Sequence, residues 1–177
     1  MAVLVGLFTS TAWAQEKSAQ GAVLDAGIRL QKSIGLYYEN GLTLQYTNPR
    51  LAGQRLYVGV SYVTSRLGSA FRSNAIKQDN YLVSGTYMFR PQRHIRPLVR
   101  FNVGYFSADL GSDLFNSLPH SGLLASPEFG LCYSPRSPLK LTGSLGYNLT
   151  AGNGMSGPGT LYPVFVQTSL LWNILKK

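Results

Sequence analysis

Residues 139–149 read Leu-Lys-Leu-Thr-Gly-Ser-Leu-Gly-Tyr-Asn-Leu, and the fold can be inferred from this segment. Its apolar and polar residues alternate, and successive side chains of a β-strand point to opposite faces. The period of two therefore predicts a strand rather than a helix. The apolar face carries Leu139, Leu141, Leu145, Tyr147 and Leu149, and the polar face carries Lys140, Thr142, Ser144, Gly146 and Asn148.

The same alternation recurs along the chain from residue 22 onward. Clusters of Gly, Pro, Ser, Asn and Asp separate the alternating segments, as expected of strands joined by turns. One boundary is ambiguous, because Asn40-Gly41 is a strong hairpin signal inside the second segment; we place the turn near Lys32-Ser33 instead. The sequence predicts eight strands, in residues 22–31, 34–46, 56–65, 81–90, 95–105, 125–133, 139–149 and 162–174.

The composition agrees with an all-β chain that carries unusually few charged residues. Apolar residues make up 45% of the 177 residues and charged residues only 13%, about half of the ~25% usual in soluble domains. No run approaches the ~20 apolar residues of a membrane-spanning helix, which excludes a helical membrane bundle. The length fits one domain, and 19 Gly with 11 Tyr and 8 Phe favour strands and tight turns.

The polar face of these strands is built mainly from Gly, Ser, Thr, Asn and Gln. Such a face suits the narrow lumen of an eight-stranded barrel better than a water-exposed surface, so we expect the apolar face to point outward into lipid. Tyrosines and a tryptophan near strand ends would then form interfacial girdles. The predicted lumen charge network is Asp25, Arg29, Glu39, Arg96, Arg100, Glu128 and Lys140. The predicted aromatic girdle is Tyr38, Tyr46, Tyr62, Tyr81, Tyr105, Tyr133, Tyr162 and Trp172.

The N-terminus has the pattern of a secretory signal peptide. An uncharged, largely apolar run, 3–13, ends in Ala12-Trp13-Ala14, which is the small-x-small pattern of a cleavage site. The alternative is an apolar first strand. We divide the chain into a signal peptide (1–14), an N-terminal extension (15–21) and a barrel (22–177). The lone Cys132 cannot form an intramolecular disulfide and is expected to fill space.

With these features the chain resembles the small eight-stranded outer-membrane barrels of the OmpA transmembrane-domain and OmpX type. The resemblance covers about residues 22 to 175 and includes a last strand, 162–174, of alternating apolar and aromatic residues. It implies an antiparallel up-and-down transmembrane β-barrel, integral to the outer membrane of a Gram-negative envelope, with both termini in the periplasm. It also implies contact with outer-membrane lipids and with the outer-membrane assembly machinery, and a monomeric state.

An even number of strands would place alternate loops on opposite sides of the membrane. The longer loops, 67–78, 108–122 and 151–160, are then the outer ones, and the short turns 90–94 and 134–138 are periplasmic. The outer loops would be available to an extracellular ligand. This reading favours a non-enzymatic barrel with a plugged lumen that serves membrane integrity, surface interaction or adhesion.

Two other functional classes remain open. The second is a lipid A-modifying barrel enzyme of the deacylase or acyltransferase type, for which the candidates are His120-Ser121 with Asp113 nearby, and His94 in a short turn. Neighbouring residues in a loop do not secure the geometry of a catalytic triad, so we predict no enzyme. The third is a soluble lipocalin-like carrier. Two isolated His and one Cys make no metal site, and we expect neither a metal nor a cofactor.

The net charge of +9 points to anionic partners. Because the basic residues are scattered, we expect no nucleic-acid binding. Lipopolysaccharide headgroups are the expected partners of a basic surface formed by Arg50, Arg55, Arg66, Arg72 and Lys77.

Overall fold

A computed structural model describes residues 21–34, 38–66, 76–90, 93–111, 119–135, 137–151 and 163–176. The predicted signal peptide and all but the last residue of the N-terminal extension lie outside this part of the chain. No helix in the described ranges is long and apolar enough to cross a membrane. The strands are β1 (Val23–Ser33), β2 (Tyr38–Thr47), β3 (Leu56–Thr64), β4 (Ile76–Met88), β5 (Ile95–Leu110), β6 (Ser121–Tyr133), β7 (Leu139–Tyr147), β8 (Leu149–Ala151) and β9 (Val164–Lys176).

The strands close into an antiparallel up-and-down barrel, which confirms the predicted fold class. Successive strands pair from β1 to β6, β6 pairs with both β7 and β8, β7 pairs with β9, and β9 returns to β1. β7 and β8 follow one continuous register on β6 and are separated only by Asn148, so they form one barrel strand. The described residues thus form an eight-stranded barrel.

The register also fixes the tilt of the strands. A row of paired residues that starts at Val23 returns to β1 at Ser33, ten residues further along, which is a shear number of ten. The barrel has two distinct ends. The β1–β2, β3–β4, β5–β6 and β8–β9 connections lie at what we call the long-loop end, whereas the β2–β3, β4–β5 and β6–β7 connections and both ends of the barrel chain lie at the short-turn end.

The first turn lies slightly beyond its predicted place. β1 continues through Ser33, Lys32 pairs with Tyr38, and the chain reverses between them. Asn40 and Gly41 are inside β2, where they pair with β1 residues, so the alternative hairpin at this dipeptide does not form. The apolar phase of the second segment is unchanged by this shift, since Tyr38 and Leu42 are exposed and Glu39 and Thr43 are buried.

The two faces of the sheet differ as the alternation predicted. Along β2, Leu42, Leu44 and Tyr46 are exposed while Thr43 and Gln45 are buried in the lumen, and the other strands follow the same rule. The outward side chains are therefore apolar and the inward ones mainly polar, which is the reverse of a water-soluble barrel.

The lumen also contains large apolar side chains, which were not predicted from the sequence to lie there. An eight-stranded barrel is wide enough only for side chains, and small residues must lie beside these large ones. Phe165 is fully buried, and a Cβ atom added to Gly146 would come within 2.2 Å of its ring. The inward apolar residues are Tyr57, Val63, Leu82, Met88, Leu98, Phe106, Ala108, Leu124, Cys132, Phe165 and Leu171.

We therefore expect Gly146→Ala to destabilise the barrel by about 1–3 kcal/mol, the usual cost of overpacking, since the fully buried Phe165 ring would have to shift to admit the methyl group. The matched control is Gly143→Ala on the same strand, where an added Cβ meets nothing within 4 Å. Urea unfolding of the two variants measures the difference. Equal stability of both variants would contradict the packing described here.

Candidate functional site: the charged lumen and the outer apolar belt

Glu128 is the centre of the lumen and has no exposed surface. Its Oε1 accepts hydrogen bonds from Arg29 Nη2 at 2.8 Å and from Asn102 Nδ2 at 2.7 Å. Its Oε2 accepts from Ser144 Oγ at 2.7 Å and lies 3.4 Å from Arg100 Nη1. One buried carboxylate therefore faces two buried guanidinium groups, in a space where an unpaired charge costs several kcal/mol.

Neutral polar residues complete this central cluster. Arg100 Nη1 donates to Gln167 Oε1 at 3.0 Å, and Arg100 Nε donates to Thr86 Oγ1 at 2.9 Å. Gln167 Oε1 also lies 2.7 Å from Ser144 Oγ, whose single proton it shares with Glu128 Oε2, and the Gln167 amide donates to Ser169. Gln167, Asn102 and Ser144 were not among the predicted network residues, although the inward phase of the alternation contains all three.

Glu39 joins the cluster through an amide rather than through a direct ion pair. Its Oε2 accepts from Gln31 Nε2 at 2.6 Å, and the Gln31 Oε1 accepts from Arg29 Nη2 at 2.9 Å. The other carboxylate oxygen of Glu39 accepts from Asn80 Nδ2 at 2.8 Å. The hydrogen-bonded network thus extends from the middle of the lumen towards the long-loop end.

A separate ion pair occupies the short-turn end of the lumen. Lys140 Nζ lies 2.5 Å from Asp25 Oδ2, and Asn173 Nδ2 donates to the other oxygen of Asp25 at 2.9 Å. Arg96, the seventh residue of the predicted network, joins neither group. It is half-buried at the end of the barrel, where its Nε donates to the Arg93 carbonyl oxygen at 2.8 Å, because its strand position is only one residue from the turn.

Apolar side chains fill the lumen around these polar groups. Near the short-turn end Tyr57, Met88, Leu98 and Cys132 form one buried cluster. On the long-loop side of Arg100 and Glu128, Leu82, Phe106 and Leu124 are also buried. The lone Cys132 thus packs among lumen side chains with no exposed surface.

The outer face carries an aliphatic band between aromatic residues. Tyr62, Tyr81 and Tyr105 occupy one row across β3, β4 and β5, and the Tyr62 and Tyr81 ring centroids are 5.3 Å apart. Tyr46, Tyr133 and Trp172 lie towards the short-turn end. These six residues and Tyr38, at the start of β2, are all exposed, whereas Tyr162 lies outside the described residues. The aliphatic side chains between them include Leu42, Leu44, Val60, Val83 and Val103.

The candidate catalytic residues do not form a site in the described part of the chain. His120 and Ser121 are exposed at the start of β6, and the His120 carbonyl oxygen accepts from the Ala108 N–H at 2.6 Å. Asp113 lies outside the described residues, so no triad can be traced. His94 Nδ1 lies 3.3 Å from the Ser134 carbonyl oxygen in the short-turn region. The described ranges contain no group of three residues suited to hold a metal ion.

A closed eight-stranded barrel with an apolar outer belt and a filled polar lumen is the fold of the small outer-membrane β-barrels. Two solved structures of this class are similar to the chain. The N-terminal β-barrel domain of Pseudomonas aeruginosa OprF superposes with a TM-score of 0.64 at 14% identity, covering 88% of this chain and 98% of that domain. Neisserial surface protein A (NspA) gives 0.51 at 16% identity, covering 85% of this chain and 92% of that protein.

A de novo designed transmembrane β-barrel is also similar, with a TM-score of 0.53, 12% identity and coverage of 88% and 98% of the two chains. No protein-family model matches the sequence, and no curated protein matches it either. At these identities the likeness establishes the fold. The resemblance inferred from the alternation is thereby confirmed at that level.

Proposed function

We propose that this chain is a non-enzymatic, integral outer-membrane protein whose closed barrel anchors the loops of its long-loop end at the cell surface. Its short-turn end and both termini face the periplasm in this proposal. The barrel contributes to membrane integrity, and the loops mediate surface interaction or adhesion. Outer-membrane lipids surround the exposed apolar belt, and the protein functions as a monomer.

The observation that supports this proposal is that charged side chains are buried inside the barrel while apolar side chains are exposed on its outer face. Arg29, Arg100 and Glu128 are at most 2% exposed inside the barrel, while outward residues such as Leu42 and Val83 are 64% and 57% exposed. In water this arrangement would expose a continuous apolar band far larger than a soluble monomer normally shows. In a bilayer the same band contacts lipid, and the sheet formed by the described strands closes on itself, so its backbone groups pair between strands as a membrane-spanning sheet requires.

The first test is membrane fractionation of cells that express the full chain, followed by electrophoresis of unheated and boiled samples in SDS. We expect the protein in the outer-membrane fraction, extractable only by detergent. We also expect different mobilities, because a closed barrel resists SDS until it is heated. Equal mobility together with solubility in plain buffer would instead support a lipocalin-like carrier.

The second test concerns the lumen. Planar-bilayer recordings of the intact protein should contain no steady high-conductance openings, because the central ion cluster and the apolar side chains on either side of it fill the narrow interior. A stable and reproducible conductance would move the protein to the class of small-solute channels. A lipid A mass spectrum that is identical with and without the protein is expected for a non-enzymatic barrel.

A further inference from the structure

The short-turn end of the barrel carries a concentration of arginines. Arg50 and Arg55 belong to the β2–β3 turn, and Arg90 and Arg93 belong to the β4–β5 turn; all four are exposed. The two turns are neighbours on the rim, since the Met88 N–H donates to the Arg55 carbonyl oxygen at 2.8 Å. We call these four residues the basic rim. None of the ion pairs between described residues involves them.

The basic rim has no counter-charge beside it in the described part of the chain. Asp25 is the carboxylate at this end, and it is fully buried and bound by Lys140 and Asn173. At the long-loop end, by contrast, two outward cations lie near carboxylates, and a third, Lys32, lies over the Tyr38 ring with its Nζ 4.7 Å from the ring centroid. Arg66 Nε lies 2.7 Å from Asp79 Oδ2, and Lys77 is opposite Asp109 in the β4–β5 register.

This distribution corrects one expectation from the sequence. The basic residues Arg50, Arg55, Arg66, Arg72 and Lys77 do not form a single surface, because Arg50 and Arg55 lie at the end opposite Arg66 and Lys77, and Arg72 lies outside the described residues. These residues share only their charge, because alternate turns of an up-and-down barrel lie at opposite ends. Most of the unbalanced positive charge among the described residues is therefore at the short-turn end.

Apolar surface begins directly beside the rim. Phe89 is 44% exposed, and its ring packs edge-on against Tyr87 with centroids 5.0 Å apart. Two residues further along the outer face, Gly85 leaves open space between larger neighbours, since an added Cβ atom would meet nothing within 4 Å. A molecule with an anionic head and an alkyl tail therefore contacts guanidinium groups first, then the aromatic rings of Phe89 and Tyr87, and then the open space at Gly85 between Val58 and Phe101.

We propose that the basic rim binds the phosphate groups of anionic phospholipids, with phosphatidylglycerol as the chemical type, in the leaflet that the short-turn end contacts. Guanidinium groups bind phosphate oxygens in bidentate geometry, and positive residues at a membrane surface attract anionic lipid. This proposal rests on the proposed function, because it requires the barrel to sit in a bilayer with its short-turn end at the phospholipid leaflet of the outer membrane.

The test is native mass spectrometry of the full chain in detergent, titrated separately with phosphatidylglycerol, phosphatidylcholine of the same acyl chains, and lipid A. The rim variant is Arg90→Gln/Arg93→Gln. The matched control is Lys32→Gln/Lys77→Gln, which removes two outward charges near the long-loop end. Unheated and boiled gel mobility of each sample verifies the barrel first, so a failure of the proposed function is recognised before any lipid is added.

We expect phosphatidylglycerol to bind more tightly than phosphatidylcholine, and the preference to weaken with rising salt. The rim variant should lose about 25-fold in affinity for phosphatidylglycerol, since each cation near an anionic lipid contributes a factor of about five. The control variant should bind as the unchanged chain does. Equal loss in both variants, no preference over phosphatidylcholine, or tighter rim-dependent binding of lipid A would each overturn the proposal.

Discussion

Glu128→Gln should lower the free energy of unfolding by about 3–5 kcal/mol, because it leaves Arg29 and Arg100 buried side by side without their carboxylate. Glutamine keeps the volume and one acceptor, so the loss reports the charge rather than a cavity. The measurement is the urea unfolding midpoint of the protein in lipid vesicles or detergent.

The comparison variant is Arg100→Met, which should cost clearly less than Glu128→Gln. It removes one of two like charges together with the longer contact to Glu128, at 3.4 Å, and leaves Arg29 paired with Glu128 at 2.8 Å. The other two groups that lose a partner, Thr86 and Gln167, are neutral. A larger loss for Arg100→Met than for Glu128→Gln would contradict the view that the single carboxylate holds the cluster together.

Leu44→Arg and Val83→Arg should each cost about 2–4 kcal/mol in a bilayer, the penalty measured for a cation at the lipid-facing midplane of a barrel. Both side chains are exposed on the outer face near the middle of their strands. The measurement is again urea unfolding in lipid vesicles, because the penalty requires the hydrocarbon core.

Depth provides the control for this prediction. Ile34 is also exposed on the outer face, but it lies just beyond the last residue of β1, at the long-loop end. Ile34→Arg should therefore cost only about 0–1 kcal/mol, as near a membrane interface. If Ile34→Arg proved as costly as Leu44→Arg, the assignment of the bilayer midplane would be wrong.

The number of strands and their two faces could be predicted from the sequence, because the alternation of apolar and polar residues is visible without knowing which strands pair. Residues 139–149 illustrate this, since their alternation determines both the strand and its inward residues. The boundary at Lys32-Ser33 was less certain, because Asn40-Gly41 has the composition of a turn but is held in β2 by its pairing with β1. At Asn40-Gly41 the pairing between β1 and β2 therefore outweighs the local preference of this dipeptide for a turn.

The arrangement of the lumen could be predicted only in part. The alternation along each strand predicted that Arg29, Arg100 and Glu128 point into the lumen. Which of these side chains contact one another depends on the stagger between strands, and the shear number cannot be derived from a single sequence. For the same reason nothing in the sequence distinguishes Gln167 and Asn102, which are central to the cluster, from the other inward polar residues. Arg96 has inward parity too, yet its place beside a turn lets its side chain bond the rim backbone instead.

Contact between the outer face of the barrel and lipid can be measured with spin labels at successive outward positions of β4, in a Cys132→Ala background reconstituted in vesicles. The labelled positions are Tyr81, Val83, Gly85 and Tyr87. The measurement is the collision rate of each label with oxygen, which is soluble in lipid, and with a water-soluble nickel complex. We expect high oxygen and low nickel accessibility at all four positions, with the lowest nickel accessibility at Val83 and Gly85. Labels that the nickel complex reaches throughout, or that neither reagent reaches, would contradict an outer face in contact with lipid.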